Sequence, residues 1–406
     1  MALAPLTDRP SRPRYDVVIV GGAMLGSSIA WFLTDNRDFN GSVLVVERDP
    51  TYTSCATAHT HSCIRQQFSA PINVKVSQFG ADFVHNFRRY MGNDPRVPQP
   101  ILHSFGYMYL ADTPAFAETL KALQKIQVAC GAGTRHMTRD EIAAEYPFYR
   151  LDDIIAGNHN LIDEGYFDGG TLFDWWKRSA RERGVEYCSN EVVAMTRNAA
   201  GTCIESVTLK TGEIIGCGTV VNASGPRGAR TARMAGIEIP IEPRKRFNFT
   251  FAAEKPLDRD LPLTIDPSGV HVHTDGPYYL GGCAPDVDPA VAFDDFEMDN
   301  DIWEAKAWPA IANRIPQFEA VKLINSWAGH YDYNTLAQNA ILGPHTKIRN
   351  FMFVNGFSGH GFQQSPAMGR GMAELIAYGE FRTLDLTPFS YARIERNEPF
   401  AEAAII

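Results

Sequence analysis

Apolar and polar positions at the start of the chain predict a strand, a tight turn, a helix and a second strand. Residues 15–20 are an apolar, β-branched run that ends in glycines, and residues 28–34 carry apolar side chains at helical spacing. Residues 42–47 are a second apolar run, as expected for a parallel strand that is buried on both faces. Together these elements form a βαβ unit of about thirty residues, the size of a nucleotide-binding element.

Two later parts of the chain carry patterns that complete this first domain. The middle part has strand-like runs at 204–209 and 213–221. The last part has a strand at 351–355, a glycine-rich loop at 356–364 and a helix predicted at 366–378. This helix is expected to begin at its proline, because proline suits the first turn of a helix.

Alternating apolar and polar residues between these parts predict antiparallel strands. Residues 103–111 and 246–252 alternate, and residues 269–282 have the pattern of two strands around Asp275-Gly276. We therefore expect a second, sheet-rich domain that is threaded through the first.

Composition and charge exclude several classes of function. Of the 406 residues 45% are hydrophobic and 21% are charged, which is typical of a packed globular protein. The formal net charge of −9 provides no electrostatic reason to expect a nucleic acid or an anionic membrane as partner. Glycines interrupt the one long apolar stretch, at 15–33, whereas a membrane-spanning helix needs about 20 uninterrupted apolar residues. A small-molecule function without a membrane span is predicted.

The cysteine pattern predicts a reducing compartment and no metal site. There are seven cysteines, which are scattered and include no Cys-x-x-Cys pair. Reduced thiols in a cytoplasm fit this pattern best, so a cytoplasmic location is expected.

The turn after the first predicted strand has the position of a dinucleotide fingerprint, and its sequence is Gly21-Gly22-Ala23-Met24-Leu25-Gly26. Gly21 allows the turn, and Gly26 lets helix and strand pack closely. Ala23 stands where a second glycine is usual, which makes the motif weaker. Glu47 ends the second strand about twenty residues later, where a carboxylate accepts hydrogen bonds from a ribose diol. The alternative is a glycine-rich turn without a ligand.

The chain resembles the flavoproteins related to D-amino-acid oxidase, glycine oxidase, sarcosine oxidase and dimethylglycine dehydrogenase. The resemblance runs from about 15 to 385 and rests on the glycine turn and on residues 54–68 (SCATAHTHSCIRQQF) and 220–225 (VVNASG). It rests above all on residues 356–363 (GFSGHGFQ), because a second glycine-rich loop near the C-terminus is foreign to an ordinary NAD-binding fold. The resemblance implies FAD as the cofactor.

The resemblance also implies an α/β fold class. An FAD-binding, Rossmann-like (doubly wound) domain is expected, with an interleaved α+β substrate domain built on an antiparallel sheet. The predicted divisions are the FAD-binding domain at 15–90, 151–240 and 326–385, the substrate-binding domain at 91–150 and 241–325, and terminal extensions at 1–14 and 386–406.

The residues expected to contact FAD by this resemblance are Gly21, Gly22, Ala23, Met24, Gly26, Glu47, Arg48, Thr57, His59, His61, Val192, Ala223, Ser224, Gly225, Gly356, Phe357, Gly359, His360, Gly361, Phe362 and Gln363. In the second loop, glycines let the backbone approach a flat ring, and the positive end of the following helix favours the charge of a reduced flavin. His59 lies near a position where dimethylglycine dehydrogenases carry a histidine bonded to the flavin. The pattern of the covalent group is only partly present, so non-covalent FAD is expected.

Three residues are expected at the substrate and the flavin face. By resemblance, Arg65 binds a substrate carboxylate in the bidentate geometry that suits arginine; the alternatives are a surface arginine and a ligand of the FAD phosphates. Gln363 replaces a lysine that serves sarcosine oxidases as a second carboxylate anchor. Tyr279 aligns by eye with the lysine that activates oxygen in that group, which predicts slow reaction with oxygen and leaves oxygen or an electron carrier as acceptor.

The expected activity is oxidation of the C–N bond of an amino acid or N-substituted amino acid by an oxidase or dehydrogenase. By resemblance, a hydride passes to flavin N5 and gives an imine that water hydrolyses. One alternative is a 2-hydroxy acid dehydrogenase. Another is a non-catalytic FAD-binding assembly factor, because residues 65–68 also resemble a respiratory-complex assembly factor of this superfamily.

Two other polar pairs have simpler interpretations. His271 and His273 alternate on one predicted strand and are interpreted as facing the second domain's cavity or solvent, because no carboxylate or cysteine nearby completes a metal site. Asp163 and Glu164 precede a glycine and are interpreted as a solvated loop.

Overall fold

A computed structural model describes residues 5–402 of the chain. In chain order the strands are β1 (Arg14–Val20), β2 (Val43–Glu47), β3 (Cys63–Ile64), β4 (Leu102–His103), β5 (Tyr107–Ala111), β6 (Arg135–Thr138), β7 (Ala156–Asn160), β8 (Gly165–Phe167), β9 (Glu186–Ser189), β10 (Val192–Arg197), β11 (Ile204–Leu209), β12 (Ile214–Asn222), β13 (Ile241–Ala253), β14 (Leu263–Ile265), β15 (His271–Asp275), β16 (Tyr278–Cys283), β17 (Val321–Asn334), β18 (Ile341–Pro344) and β19 (Phe351–Asn355). The helices are α1 (Met24–Asp35), α2 (Pro71–His85), α3 (Phe87–Tyr90), α4 (Pro114–Ala129), α5 (Arg139–Glu145), α6 (Gly169–Glu182), α7 (Gly228–Met234), α8 (Trp308–Arg314), α9 (Gly361–Tyr378) and α10 (Ala392–Glu395).

The first large sheet has a parallel centre. Strands β12, β1, β2 and β9 run parallel in that order, and β19 pairs in parallel with the C-terminal end of β12. The central strands are almost entirely apolar because both faces of the sheet are covered. One face packs against a core that includes α1, α6 and α9. The other packs against a core that includes α7 and residues of β10 and β11, which continue the sheet in antiparallel pairing from β12.

The second large sheet is mostly antiparallel, with the strand order β17-β13-β16-β15-β14-β5-β7-β6. Alternate residues of β13 explain how this sheet can be both a core element and a cavity wall. Phe247, Phe249 and Phe251 are buried in an aromatic core with Trp303. The intervening positions of the strand, including Arg246 and Asn248, therefore face the opposite side. The predicted fold class is confirmed by this pair of sheets and by the relatives described below.

A third, small sheet has the order β3-β8-β4. The sequence pattern at 103–111 predicts one strand, but the structure has two strands in different sheets. Gly106 lies between them with a φ of +88° and turns the chain from β4 into β5. Only the second half of the predicted strand therefore belongs to the second large sheet.

Sheet membership differs from the predicted divisions at two places. β7 pairs with β5 and β6 in the second sheet, although residues 151–164 were expected in the FAD-binding domain. β17 stays paired with β13 along its whole length to Asn334, although the FAD-binding domain was expected to resume at 326.

The helix after the second glycine loop begins at Gly361, so the predicted start at Pro366 is wrong. Pro366 lies inside the helix, where its missing N–H leaves the carbonyl oxygen of Phe362 without its usual donor. The Ser365 hydroxyl donates to that oxygen at 2.8 Å. This local bond lets the helix continue through the proline.

Both terminal extensions pack on the first domain in the parts that the structure describes. Thr7 forms a parallel bridge with Cys188 of β9. Near the other end, the buried carboxylate of Glu402 accepts hydrogen bonds from Ser69 and Asn73. Residues 1–4 and 403–406 of the predicted extensions lie outside the described residues. Within residues 5–402, every helix is too short or too polar to cross a membrane.

Candidate functional site

A cavity begins at the turn between β1 and α1. Gly21 has a φ of +100°, and a Cβ there would lie 2.5 Å from the carbonyl oxygen of Ala223. A Cβ on Gly26 would lie 1.9 Å from the carbonyl oxygen of Gly21. Ala23 and Met24 line the cavity, so the positive N-terminal end of α1 faces it, as a phosphate-binding site requires. Gly26 lies behind this lining and supports the turn.

The carboxylate of Glu47 lies at the same end of the cavity. It accepts the backbone N–H of Gly22 and that of Asp49, each at 2.8 Å. Burial raises the pKa of Glu47, and the two N–H donors oppose this shift. Gly22 itself lies behind the lining, where a Cβ would come within 2.9 Å of Val45.

Other predicted cofactor contacts surround this end of the cavity. The lining residues among them are Arg48, Thr57, His59, His61, Val192, Ala223, Ser224 and Gly225. Arg227, which the sequence did not indicate, also lines the cavity, and both it and Arg48 form ion pairs with Asp294.

The second glycine loop is held by one buried carboxylate. Oδ2 of Asp332 accepts the N–H of Gly356 at 2.8 Å and that of Phe357 at 3.1 Å. Burial raises the pKa of Asp332 to about 6. A Cβ on Gly359 would lie 2.5 Å from the ring of Tyr331, so a larger residue would displace the loop from β17.

Most of this loop and the first turn of α9 face the cavity. The predicted residues that line it are Phe357, Gly359, His360, Gly361, Phe362 and Gln363. Gly356 lies outside the lining, where a Cβ would come within 2.4 Å of Ile241.

Arg65 lies where the loop meets the second sheet. The side chain is buried, lines the cavity and stands over the ring of Phe68 at 4.4 Å. The backbone N–H of Arg65 donates to Oε1 of Gln363 at 2.9 Å, and its Nη2 donates to Nε2 of His360 at 3.0 Å. Since arginine can only donate, Nε2 of His360 is the acceptor and Nδ1 carries the proton.

Glu164 supports the segment that carries Arg65, so the prediction of a solvated loop at this residue is wrong. Its side chain is 0% exposed, and its carboxylate accepts the N–H of Gln66 at 2.6 Å and the amide of Gln67 at 2.9 Å. Burial raises the pKa of Glu164 to about 7. The neighbouring Asp163 is the more accessible carboxylate and pairs with His85.

Residues of the second sheet form the opposite wall. The sequence interpretation places His271 toward the second domain's cavity or solvent, and its predicted site residues do not include Arg246 or Asn248. Arg246 forms a two-bond ion pair with Asp288, at 2.9 and 3.0 Å, and its guanidinium stands 4.7 Å from the ring centre of Tyr331. Asn248 and His271 also line this wall. The signal in the sequence was the occurrence of Arg246 and Asn248 at alternate positions among buried phenylalanines of β13.

Tyr279 does not line the cavity, so its predicted place at the flavin face is corrected. Its side chain is buried in the aromatic core of the second domain against Phe251 and Phe318. Its hydroxyl accepts the backbone N–H of Leu257 at 2.8 Å. The residue faces the core because the two sides of β16 alternate, and it is Gly282 that lies beside His61 and His271. The argument for slow reaction with oxygen from this position has no basis in the structure.

Two glycine-bearing turns from opposite ends of the chain thus meet at one cavity that continues to a second sheet. Nδ1 of His360 and Nε of Arg246 are buried at this cavity without a partner among residues 5–402, as expected where a bound group supplies one. A long dinucleotide fits such a site. The model of the family described as FAD dependent oxidoreductase matches residues 16–375, and the chain belongs to this family. FAD is the cofactor.

Individual relatives cover nearly the whole chain. FAD-dependent oxidoreductase domain-containing protein 1 of Xenopus laevis is 36% identical over 99% of this chain and 87% of its own length. Mitochondrial dimethylglycine dehydrogenase of Rattus norvegicus is 26% identical over 95% of this chain but only 46% of its own length. The crystal structure of L-proline dehydrogenase from P. horikoshii superposes with a TM-score of 0.82 and 25% identity, covering 95% of this chain and 99% of that chain. The predicted family resemblance is confirmed.

Proposed function

We propose that the protein oxidises the C–N bond of an amino acid or N-substituted amino acid. The observation that supports this best is Arg65, a buried guanidinium at the junction of the second glycine loop and the second sheet. A carboxylate is the planar anion that a guanidinium binds with two parallel hydrogen bonds. When bound, FAD supplies the electron sink for the two electrons that leave the substrate.

The chain's own residues position the substrate in this proposal. Gln363 holds the backbone of Arg65 through its carbonyl oxygen, and His360 accepts from the guanidinium. These contacts preorganise the cation, so less entropy is lost when a carboxylate binds. Oxidation of a C–N bond gives an imine that water hydrolyses, which requires no nucleophile from the protein.

The names of several relatives support this substrate class. Solved structures similar to this chain include an L-proline dehydrogenase, glycine oxidases and an iminodiacetate oxidase. In each of the named compounds a carboxylate is attached to the carbon next to nitrogen. The substituents on nitrogen differ, so the carboxylate is the shared feature that a single cation could recognise.

Anaerobic mixing of the purified FAD-loaded protein with matched compounds tests the proposal. We expect bleaching of the flavin absorbance by at least one member of a panel of proline, glycine, N-methylglycine and iminodiacetate. Pyrrolidine and dimethylamine lack the carboxylate and should bleach it far more slowly than proline and N-methylglycine. Bleaching by 2-hydroxy acids alone would contradict C–N oxidation, and silence of the whole panel would favour the assembly factor.

We also propose that FAD is held without a covalent bond. Nδ1 of His59 lies 2.9 Å from the carbonyl oxygen of Cys55, which orients the ring by an ordinary hydrogen bond. Acid precipitation should release the yellow flavin into the supernatant. A fluorescent adduct that stays on the protein and disappears in His59→Ala would show a covalent link instead.

A further inference from the structure

Three histidines come together at the wall of the cavity that the second sheet forms. The ring centre of His61 lies 4.8 Å from that of His271 and 5.2 Å from that of His273. His61 belongs to the segment before β3, and the other two belong to β15. His61 and His271 line the cavity.

The nitrogens of two of these rings are used within the protein. Nδ1 of His273 donates to the carbonyl oxygen of Thr274 at 2.7 Å, because a carbonyl can only accept. Nε2 of His273 lies 3.1 Å from Nδ1 of His61. Nε2 of His61 lies 2.7 Å from Oδ1 of Asn248. These bonds fix both rings.

His271 differs from its neighbours because part of its hydrogen-bonding capacity is unused. The residue is 8% exposed, and its Nδ1 is buried without a partner among residues 5–402. A Cβ on Gly282 would lie 2.6 Å from Nε2 of His271, so this glycine makes the room for the ring. A buried polar atom without a partner costs free energy, and a ligand that supplies the partner recovers it.

The surroundings keep His271 neutral. Burial lowers its pKa well below the usual range. The groups that face it add to this effect, and they are His61 and Arg65 from the segment around β3, His273 from its own strand and Arg246 from β13. A neutral imidazole has one nitrogen that accepts a hydrogen bond and one that donates.

We propose that His271 accepts a hydrogen bond from the N–H of the substrate amine and so selects primary and secondary amino acids over tertiary ones. The inference rests on the proposed function, in which Arg65 binds the carboxylate. An amine nitrogen must keep its lone pair available for the C=N bond that forms, so the protein can hold it only through an N–H. A tertiary amine has no N–H to offer and would leave His271 without its partner.

The test compares substrates that differ by one methyl group on nitrogen. We measure the rate constant of anaerobic flavin reduction and divide it by the dissociation constant of the substrate. The two pairs compared are proline with N-methylproline, and N-methylglycine with N,N-dimethylglycine. We expect at least a tenfold preference for the secondary amine in the wild type. His271→Phe should lose this preference, and His271→Gln, which keeps an acceptor, should retain part of it. His103→Phe, at an exposed histidine of β4, serves as the matched control and should keep it in full.

Two measurements separate a role in recognition from a role in folding. The FAD content and the thermal midpoint should stay close to the wild type in His271→Gln. Cyclopentanecarboxylate has the carboxylate of proline but no nitrogen, so its dissociation constant, read from the flavin spectrum, should be the same in wild type and His271→Phe. Equal reduction by secondary and tertiary amines in the wild type would overturn the inference, as would an unchanged preference in His271→Phe. If no amine reduces the wild type, the proposed function fails as well.

Discussion

The two ends of the cavity differ in whether backbone atoms or side chains form them. At the end formed by β1 and α1, the critical atoms belong to the backbone, and glycines permit close approach. At the end formed by the second sheet, the critical groups are side chains of Arg246, His271 and Tyr331, which come from three separate strands. A change at the first end should therefore affect whether the cofactor binds, and a change at the second should affect which substrate reacts.

The largest effect is expected at the first end, from Gly21→Val. Its side chain would meet the carbonyl oxygen of Ala223 and block the turn, so the purified protein should contain no FAD. The measurement is the ratio of flavin absorbance to protein absorbance after purification.

Gly212→Val is the matched control, because Gly212 has the same φ of +100° but no other atom within 4 Å of its added Cβ. It should bear the same backbone strain and still bind FAD. Equal loss of FAD in both variants would show that strain, rather than close approach, explains the result.

The next effect is expected at the second end, from Arg65→Ala. A charged hydrogen bond contributes roughly 1.5–3 kcal/mol, so kcat/KM for a carboxylated amine should fall about tenfold to a hundredfold. FAD content should stay nearly unchanged. Arg65→Lys keeps the charge but not the two-bond geometry and should recover only part of the loss. Loss of FAD with unchanged substrate affinity per bound flavin would make Arg65 a cofactor ligand.

The sequence could indicate which residues line the first end because the signals there are local. The Gly21 turn and the loop at 356–363 are each contiguous, and their neighbouring strands have unmistakable apolar patterns. The wall of the second sheet depends on register between strands, which no local pattern specifies. Tyr279 shows this, because one position along β16 decides whether a residue faces the cavity or the aromatic core. Glu164 was missed because two adjacent carboxylates before a glycine are typical of a surface loop.

A smaller effect is expected from Asp332, which connects the two ends by holding the second glycine loop from β17. Its pKa of about 6 in the folded protein exceeds its usual value of 3.8, so the folded state keeps this proton to higher pH than the unfolded chain. The contribution of Asp332 to the free energy of unfolding should therefore fall as pH rises from about 4 to about 6, by roughly 3 kcal/mol at most.

Asp332→Asn removes this titration and keeps one oxygen to accept the loop N–H groups. The measurement is denaturant unfolding of both FAD-loaded proteins at several values of pH. The free energy of unfolding of the wild type, minus that of the variant, should decrease between pH 4 and pH 6 and then level off. Parallel curves would show that the carboxyl group does not titrate in this range.

The smallest effect is expected from Tyr279→Phe. This variant tests whether the side of β16 that carries Tyr279 belongs to the aromatic core and not to the cavity wall. The variant loses the hydroxyl that accepts the N–H of Leu257, which should lower the free energy of unfolding by about 1 kcal/mol. Because the ring packs against Phe251 and Phe318 rather than the cavity, reoxidation of the reduced flavin by oxygen should be unchanged. Stopped-flow reoxidation in air-saturated buffer measures this rate. A change in the rate without a change in stability would place the hydroxyl within reach of the flavin and contradict the assignment of this side of β16 to the core.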